Sequence, residues 1–246
     1  LTVHGEAPVA TWAVEAGPAG AAVTLETRLA HARLHVRRTY ALAPRDAVLK
    51  VETSVVNAGE ALREIGWQEH ATFGPPFLEG GVTVFDLPAS WATSHPAPFA
   101  RRHRLRIGPK TEFAWPLAPG ADGRPVDLRL FPSDEPSGDF TAQLMDPGRT
   151  WAWATAVHPG RGLLAGYAWR RADFPWVGNW EEHRDRESAP WGGRTEARGI
   201  EFGASPFAQG RDAMRALGSL RGTPVLTAIA KGARRDAVFY AFLAPV

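Results

Sequence analysis

Three short segments of the chain gather residue types that can move protons or grip a ligand. The first, Gly66-Trp67-Gln68-Glu69-His70-Ala71-Thr72-Phe73-Gly74-Pro75-Pro76-Phe77, sets an imidazole, a carboxylate and an amide among three aromatic rings. Read as a loop stiffened by Gly and Pro, it holds His70 in one orientation, which general acid catalysis needs; a structural histidine satisfied by its loop fits the same residues. The second runs from Asp173-Phe174-Pro175-Trp176 through Asn179-Trp180-Glu181-Glu182-His183 to Pro190-Trp191-Gly192-Gly193-Arg194. Indole faces beside amide and carboxylate groups are the chemistry of a carbohydrate site; core tryptophans are the other reading, and 184–187 reads as an exposed charged loop. The third, Arg198-Gly199-Ile200-Glu201-Phe202-Gly203-Ala204-Ser205-Pro206-Phe207, isolates one glutamate in an apolar, strand-like run. Pointing inward, Glu201 is desolvated and becomes a useful acid or base; pointing outward, it is an ordinary surface residue.

Other candidates are sparser. His4-Gly5-Glu6 either contacts a ligand or forms a loose end, and His31, His35, His95, His103 and His158 lie among polar neighbours and read as surface residues. The pairs Glu69-His70 and Glu182-His183 lack metal-ligand spacing, and no HExxH, EF-hand, P-loop, GxGxxG or GxSxG pattern occurs. No metal or other cofactor is expected. The chain has no Cys, which removes disulfides, thiolate metal sites and a cysteine nucleophile.

The 246 residues carry 28 Lys and Arg against 26 Asp and Glu, close to balance. With no Cys and three Tyr, little titrates in the alkaline range, so the pI of 9.3 does not announce a nucleic-acid partner. Only Lys50, Lys110 and Lys231 are lysines, an excess of Arg that reads as genomic base composition. No apolar stretch nears the roughly 18 residues of a membrane span. Leu1-Thr2-Val3-His4 shows neither a charged nor an apolar leader region, and a cytoplasmic location is the expectation. Ten Trp stand out, because indoles are costly to bury fully and well suited to stacking on sugar rings.

The scaffold that must hold these segments reads as strands. In 34–42, apolar residues alternate at Leu34, Val36, Tyr40 and Leu42, interrupted by Arg38. Pro44-Arg45-Asp46 makes a turn, and 48–56 then puts Leu49, Val51, Thr53 and Val55 on one face until Asn57-Ala58-Gly59 ends the run. Further strands are expected at 23–29, 81–87, 126–131, 140–145, 151–157, 163–169, 200–204, 225–229 and 237–243; only 212–220 reads as a helix. Short strands throughout, with no repeat and no linker, predict an all-β sandwich in one domain spanning 1–246. The Pro/Gly-rich stretches 116–125 and 132–138 are expected to be loops, and Trp151, Trp153 and Trp169 to fill the core.

In their order along the chain, these segments resemble the aldose 1-epimerase, or galactose mutarotase-like, family. Val3-His4-Gly5-Glu6 with Trp12 resembles the family's His-Gly segment, and Asn57-Ala58-Gly59 followed by Gly66–Gly74 resembles its turn and His-x-x-Phe loop. Asp173-Phe174-Pro175-Trp176-Val177-Gly178-Asn179-Trp180 resembles a strand with a Trp near the substrate, and Gly199-Ile200-Glu201-Phe202 the strand bearing the catalytic Glu. The resemblance implies a β-supersandwich that opens and recloses a sugar ring without a cofactor. His70 would be the acid that protonates the ring oxygen and Glu201 the base that takes the anomeric proton. His4, Gln68, Asp173, Trp176, Asn179 and Trp180 would contact the sugar. There are departures: the family's N-terminal strands, with their Arg and Asn sugar contacts, have no counterpart here and are expected to be missing. Ala71 stands where a Pro is usual, Phe202 where Pro or Thr is common, and the sugar-binding Asp is matched only by Asp173. A non-catalytic sugar-binding or sensor module fits the same residues. So does a mutarotase for sugar phosphates gripped by the arginines of Arg194-Thr195-Glu196-Ala197-Arg198. Oligomeric state is left open.

Overall fold

A computed structural model describes residues 4–17, 21–97 and 104–246; Val3 and His103 lie outside the described residues. The first half forms β1 (Ala13–Ala16), β2 (Ala22–Leu29), β3 (Leu34–Leu42), β4 (Val48–Asn57), β5 (Arg63–Ile65), β6 (Gln68–Phe73), β7 (Val84–Asp86), β8 (Ala89–Ser94), β9 (Glu112–Phe113) and β10 (Leu117–Pro119). The second half adds β11 (Pro125–Asp127), β12 (Ser137–Met145), β13 (Trp151–His158), β14 (Leu163–Arg170), β15 (Trp176–His183) and β16 (Glu196–Gly203). After helix α1 (Arg211–Leu217) come β17 (Ser219–Leu220), β18 (Thr223–Pro224), β19 (Thr227–Ile229) and β20 (Arg234–Pro245). No helix among the described residues is long and apolar enough to cross a membrane.

Two antiparallel sheets make the sandwich. One has eight strands in the order β1-β2-β3-β4-β20-β14-β13-β7, the other six in the order β6-β16-β15-β12-β8-β9. The β3–β4 hairpin follows from its alternation and its Pro44-Arg45-Asp46 turn. Asn57 closes it from inside, its amide donating to the carbonyls of Ala61 and Ile229 while its oxygen accepts the Gly59 N–H. The core lies between the sheets. Trp169 of β14 stacks on Phe202 of β16 with ring centroids 4.3 Å apart, and Phe85, Phe131, Phe174, Val177 and Ile200 fill in around them.

Arg38, the break in the β3 pattern, points into this layer and pairs with Glu69 of β6 across the two sheets. Trp151 and Trp153 depart from expectation. The register sets Ala152 opposite Trp169, so the alanines of β13 face the core and the two indoles face out. Trp169 leaves room opposite it only for methyl groups. The guanidinium groups of Arg170 and Arg149 cover the outward rings at 5.6 and 5.0 Å.

The segments 81–87, 126–131 and 225–229 form only the short strands β7, β11 and β19, and the helix stops at Leu217, before Gly218 at φ 66°. A larger correction concerns 66–77: residues 68–73 are a strand, and the loop begins at Gly74. The segment likened to a strand by the family resemblance, from Trp176 on, is a central strand of the second sheet, Trp176–His183.

The six-stranded sheet has two unlike faces. Its inner face carries a buried polar network among the core rings. Arg198 pairs with Glu181 at 3.3 Å and bonds the Asn179 oxygen at 2.9 Å and the Leu128 carbonyl at 2.7 Å; Arg106 joins Glu181 at 2.5 Å to Asp139 at 3.3 Å. Burial, reinforced by the neighbouring Glu181, pushes Asp139 up to about 6, and burial brings Arg198 down to about 10. On the outer face, the β8–β12–β15 side is roofed by α1 and the residues around it, with Phe207, Met214 and Val225 packed on Trp91, Phe140, Leu144 and Trp176. The β6–β16 side stays open.

Close backbone packing ties β6 to β16. A Cβ at Gly203 would lie 2.5 Å from the Trp67 carbonyl oxygen and 2.8 Å from the Gln68 Cα. We expect Gly203→Ala to destabilise the protein by about 1–3 kcal/mol in urea titrations, because backbone must yield. A cost within experimental error would show that β6 is not held by this contact.

Candidate functional site

His70 and Glu201 meet because the sheet register makes them directly opposite partners on β6 and β16. Opposite antiparallel residues share a face with Cβ atoms roughly 5 Å apart, so an imidazole and a carboxylate placed there can touch. His70 Nε2 lies 3.1 Å from Glu201 Oε1, with the His70 side chain 35% exposed and that of Glu201 only 9%. The carboxylate forms the floor and the imidazole the rim. Glu201 therefore points away from the core yet is sheltered, a combination outside the two alternatives posed by its sequence.

The neighbouring positions are shaped to this pair. Gly178 and Gly199, on the same face of β15 and β16, add no side chains. A Cβ on Gly199 would sit 3.1 Å from both His70 Cε1 and Trp180 Cε3, so the two rings lie down over bare backbone. Thr72, two residues beyond His70 and hence on the same face, places its hydroxyl 3.1 Å from Nδ1. Trp180 approaches His70 edge-on at 6.0 Å and His4 does so at 5.6 Å. Beyond Trp180 stands Trp191 at 5.7 Å, with the Arg186 guanidinium over both indoles at 5.6 and 4.8 Å.

The hydrogen bond to Glu201 raises the pKa of His70, against the opposing effect of its partial burial, and the Coulomb attraction of the same carboxylate adds to it. The contact thus favours the protonated ring. Cationic His70 contributes stability that is fully present below the ordinary value of 6.5 and is lost as pH rises through the raised folded value. In an NMR titration His70 should keep its proton to higher pH than an exposed histidine, and Glu201→Gln should bring it down. A His70 titration unmoved by that change would dissociate the pair.

The structure gathers four of the sequence-derived candidates, His4, His70, Trp180 and Glu201, in one place. Gln68 lies on the same face, but its amide donates to the Ser205 carbonyl at 3.0 Å and serves to anchor the roofing segment. Trp176 also shares the face; it is fully buried beneath that roof, its indole N–H bonded to the Pro224 carbonyl. Asn179 points to the opposite, inner face and belongs to the Arg198 network, as period-two alternation from Trp180 requires. Asp173 sits in the β14–β15 turn and pairs at 3.1 Å with Arg235 of β20. Trp176, Asn179 and Asp173 are therefore corrected from sugar contacts to structural groups.

Other expectations change in the same way. Arg198 is sealed inside and offers nothing to a phosphate. His158 is buried against Glu79 at 2.9 Å, and His95 packs edge-on against Phe140 and Phe207. The charge run at 184–187 is a tied turn: Glu182 accepts the N–H groups of Asp185 and Arg186 and pairs with the Arg186 guanidinium at 3.1 Å, while Asp185 is buried against Arg104. Among the described residues no group of three or more His, Asp or Glu is arranged to hold a metal ion. Adjacent members of Glu69-His70 and Glu182-His183 face opposite sides of their strands. A broad, shallow groove lies elsewhere, along the β1–β2 edge by Trp12, Val14 and Glu26.

Reasoning from sequence missed Thr72, Gly199 and Arg186. A strand reading of 68–73 would have found Thr72, since residues i and i+2 share a face.

The architecture is that of a galactose mutarotase-like β-sandwich, with a sheltered carboxylate and a histidine paired on its open face. No protein-family profile and no curated protein sequence matches the chain. Among solved structures, a candidate aldose 1-epimerase from Klebsiella pneumoniae superposes with a TM-score of 0.64 at 14% identity, over 94% of this chain and 53% of that one. A candidate aldose 1-epimerase from Escherichia coli K12 gives 0.64 at 13% identity over 99% and 72%. A galactose mutarotase related enzyme from Lactobacillus acidophilus gives 0.62 at 17% over 98% and 73%. The chain spans about half the length of the first. These likenesses establish the fold.

Proposed function

We propose that the chain interconverts the anomers of an aldose by acid–base ring opening. The observation that carries this reading is the His70–Glu201 pair on the open face. In a cyclic sugar the ring oxygen and the anomeric hydroxyl are both bonded to C1, so the groups that act on them must be neighbours. Directly opposed positions in one ladder meet that demand.

A sugar entering between the two side chains replaces their mutual hydrogen bond. Glu201 takes the proton of the anomeric hydroxyl, C1=O forms, the bond from C1 to the ring oxygen breaks, and His70 Nε2 delivers its proton to that oxygen. After rotation about C1–C2 the same transfers run in reverse and close the other anomer. The proton count is unchanged over the cycle. Glu201 lies low enough to be shielded from water while His70 reaches the surface, which suits a base beneath the sugar and an acid at its edge. Trp180 offers a flat apolar face beside them, and His4 closes the other side.

The test is NMR of freshly dissolved single anomers of several aldoses, comparing exchange with protein and in buffer. Acceleration of at least one aldose is expected. Sugar binding without acceleration would overturn the enzymatic reading and leave a binding module.

A further inference from the structure

We infer that Thr72 is a positioning residue for His70: its hydroxyl holds Nδ1 so that the proton the ring exchanges stays on Nε2, facing Glu201. This rests on the acid role given to His70 above.

An imidazole that gives up its Nε2 proton must keep its other proton on Nδ1, and that N–H then needs an acceptor. Thr72 Oγ1 lies 3.1 Å from Nδ1. The hydroxyl oxygen accepts, so it can take the Nδ1–H both of the cation and of the neutral ring left when Nε2 has given up its proton. The placement is well defined. Thr72 sits two residues along the same strand, its β-branched side chain has restricted χ1 freedom, and its cross-strand partner is Gly199, which has no side chain to compete for the hydroxyl. Other groups face the ring from every side: Glu201 from β16, His4 from the N-terminal segment and the uncharged Trp180 from β15. Glu201 meets the ring at Nε2, and the ring also bonds the His70 backbone carbonyl. The terminal torsion of a histidine is roughly two-fold, and a half-turn would exchange Nδ1 with Cδ2 and carry Nε2 off Glu201; the Thr72 contact at Nδ1 favours the orientation in which Nε2 faces the carboxylate.

Thr72→Val keeps the shape of the side chain and removes the hydroxyl; Thr72→Ser keeps the hydroxyl. With 15N-labelled histidine, Thr72→Val should make His70 titrate at lower pH than in the wild type. It should lower kcat for anomer exchange about tenfold with little change in KM, and move the basic limb of the rate profile to lower pH. Thr72→Ser should return all three toward wild type. A Val variant with wild-type His70 titration and wild-type kcat would overturn the inference, as would a Ser variant as impaired as Val. Should the wild type exchange no anomers, the titrations still decide whether Thr72 holds the ring, so the two failures are distinct.

Discussion

Glu201→Gln is expected to lower the rate of the proposed anomer exchange by about 10²–10⁴-fold while leaving the fold and the sugar affinity nearly intact, and His70→Ala to have an effect of the same order. The amide keeps an oxygen at the position that accepts the His70 N–H, so the geometry of the pair survives while the ability to take a proton is lost, together with the negative charge that helps to raise the His70 pKa. The two changes combined cost little more than either alone, because each disables the same transfer. The wild-type rate falls on the alkaline side as His70 loses its proton, at a pH set above the ordinary histidine value by Glu201. Rates come from NMR exchange of single anomers, and thermal melting checks the fold. Retention of more than about a tenth of the activity by Glu201→Gln would remove Glu201 from the role of base.

Arg198→Met is expected to destabilise the protein by about 3–5 kcal/mol. Arg198 is completely enclosed, its guanidinium shared among Glu181, Asn179 and the Leu128 carbonyl and resting 4.5 Å over the Phe85 ring. Removing it leaves Glu181 to Arg106 alone and strands two buried acceptors. For a chain of this size each kcal/mol moves the melting temperature by about 2–4 °C, so the midpoint should drop by roughly 6–20 °C. Adding Glu181→Leu should recover part of the loss, since Arg106 then pairs with Asp139 only and no carboxylate is left unsatisfied. A single variant within about 1 kcal/mol of wild type would show that the cluster is not held as a unit.

The strands with strict alternation were legible in advance. Residues 34–42 form β3 with those limits, and the Asn57-Ala58-Gly59 stop is where β4 ends, because burial on one face leaves a period-two trace. Residue pattern alone hid β6 and β15, the latter indicated only by the family resemblance, for a common reason. Each carries polar or aromatic residues outside and charges inside, so polarity does not alternate along it. The inward Glu69, Asn179 and Glu181 mimic a polar loop until Arg38, Arg198 and Arg106 arrive from elsewhere in the chain to neutralise or hydrogen-bond them. That pairing is long-range and leaves no local signal. The reverse error arose at Trp151 and Trp153, where size was taken for burial although alanines face the core. Of the site, His70 and Glu201 stood out by residue type, whereas their contact depends on a register that only the folded sheet supplies. Asn179 shows the cost of ignoring alternation: one residue from Trp180, it lies on the other side of the sheet.

His70, Thr72 and Glu201 stand on the interior rungs of a ladder instead of on loops. Slipping β6 by one residue against β16 would turn His70 into the hydrophobic layer and bring Glu69 out, unmaking the site and the Arg38 bridge together. Intermediate geometries are not available to such a pair: it is either in register or absent. Loss of the pair on partial unfolding should therefore be abrupt, and remodelling of the surrounding loops can change what is admitted beside it without disturbing the alignment of His70 and Glu201.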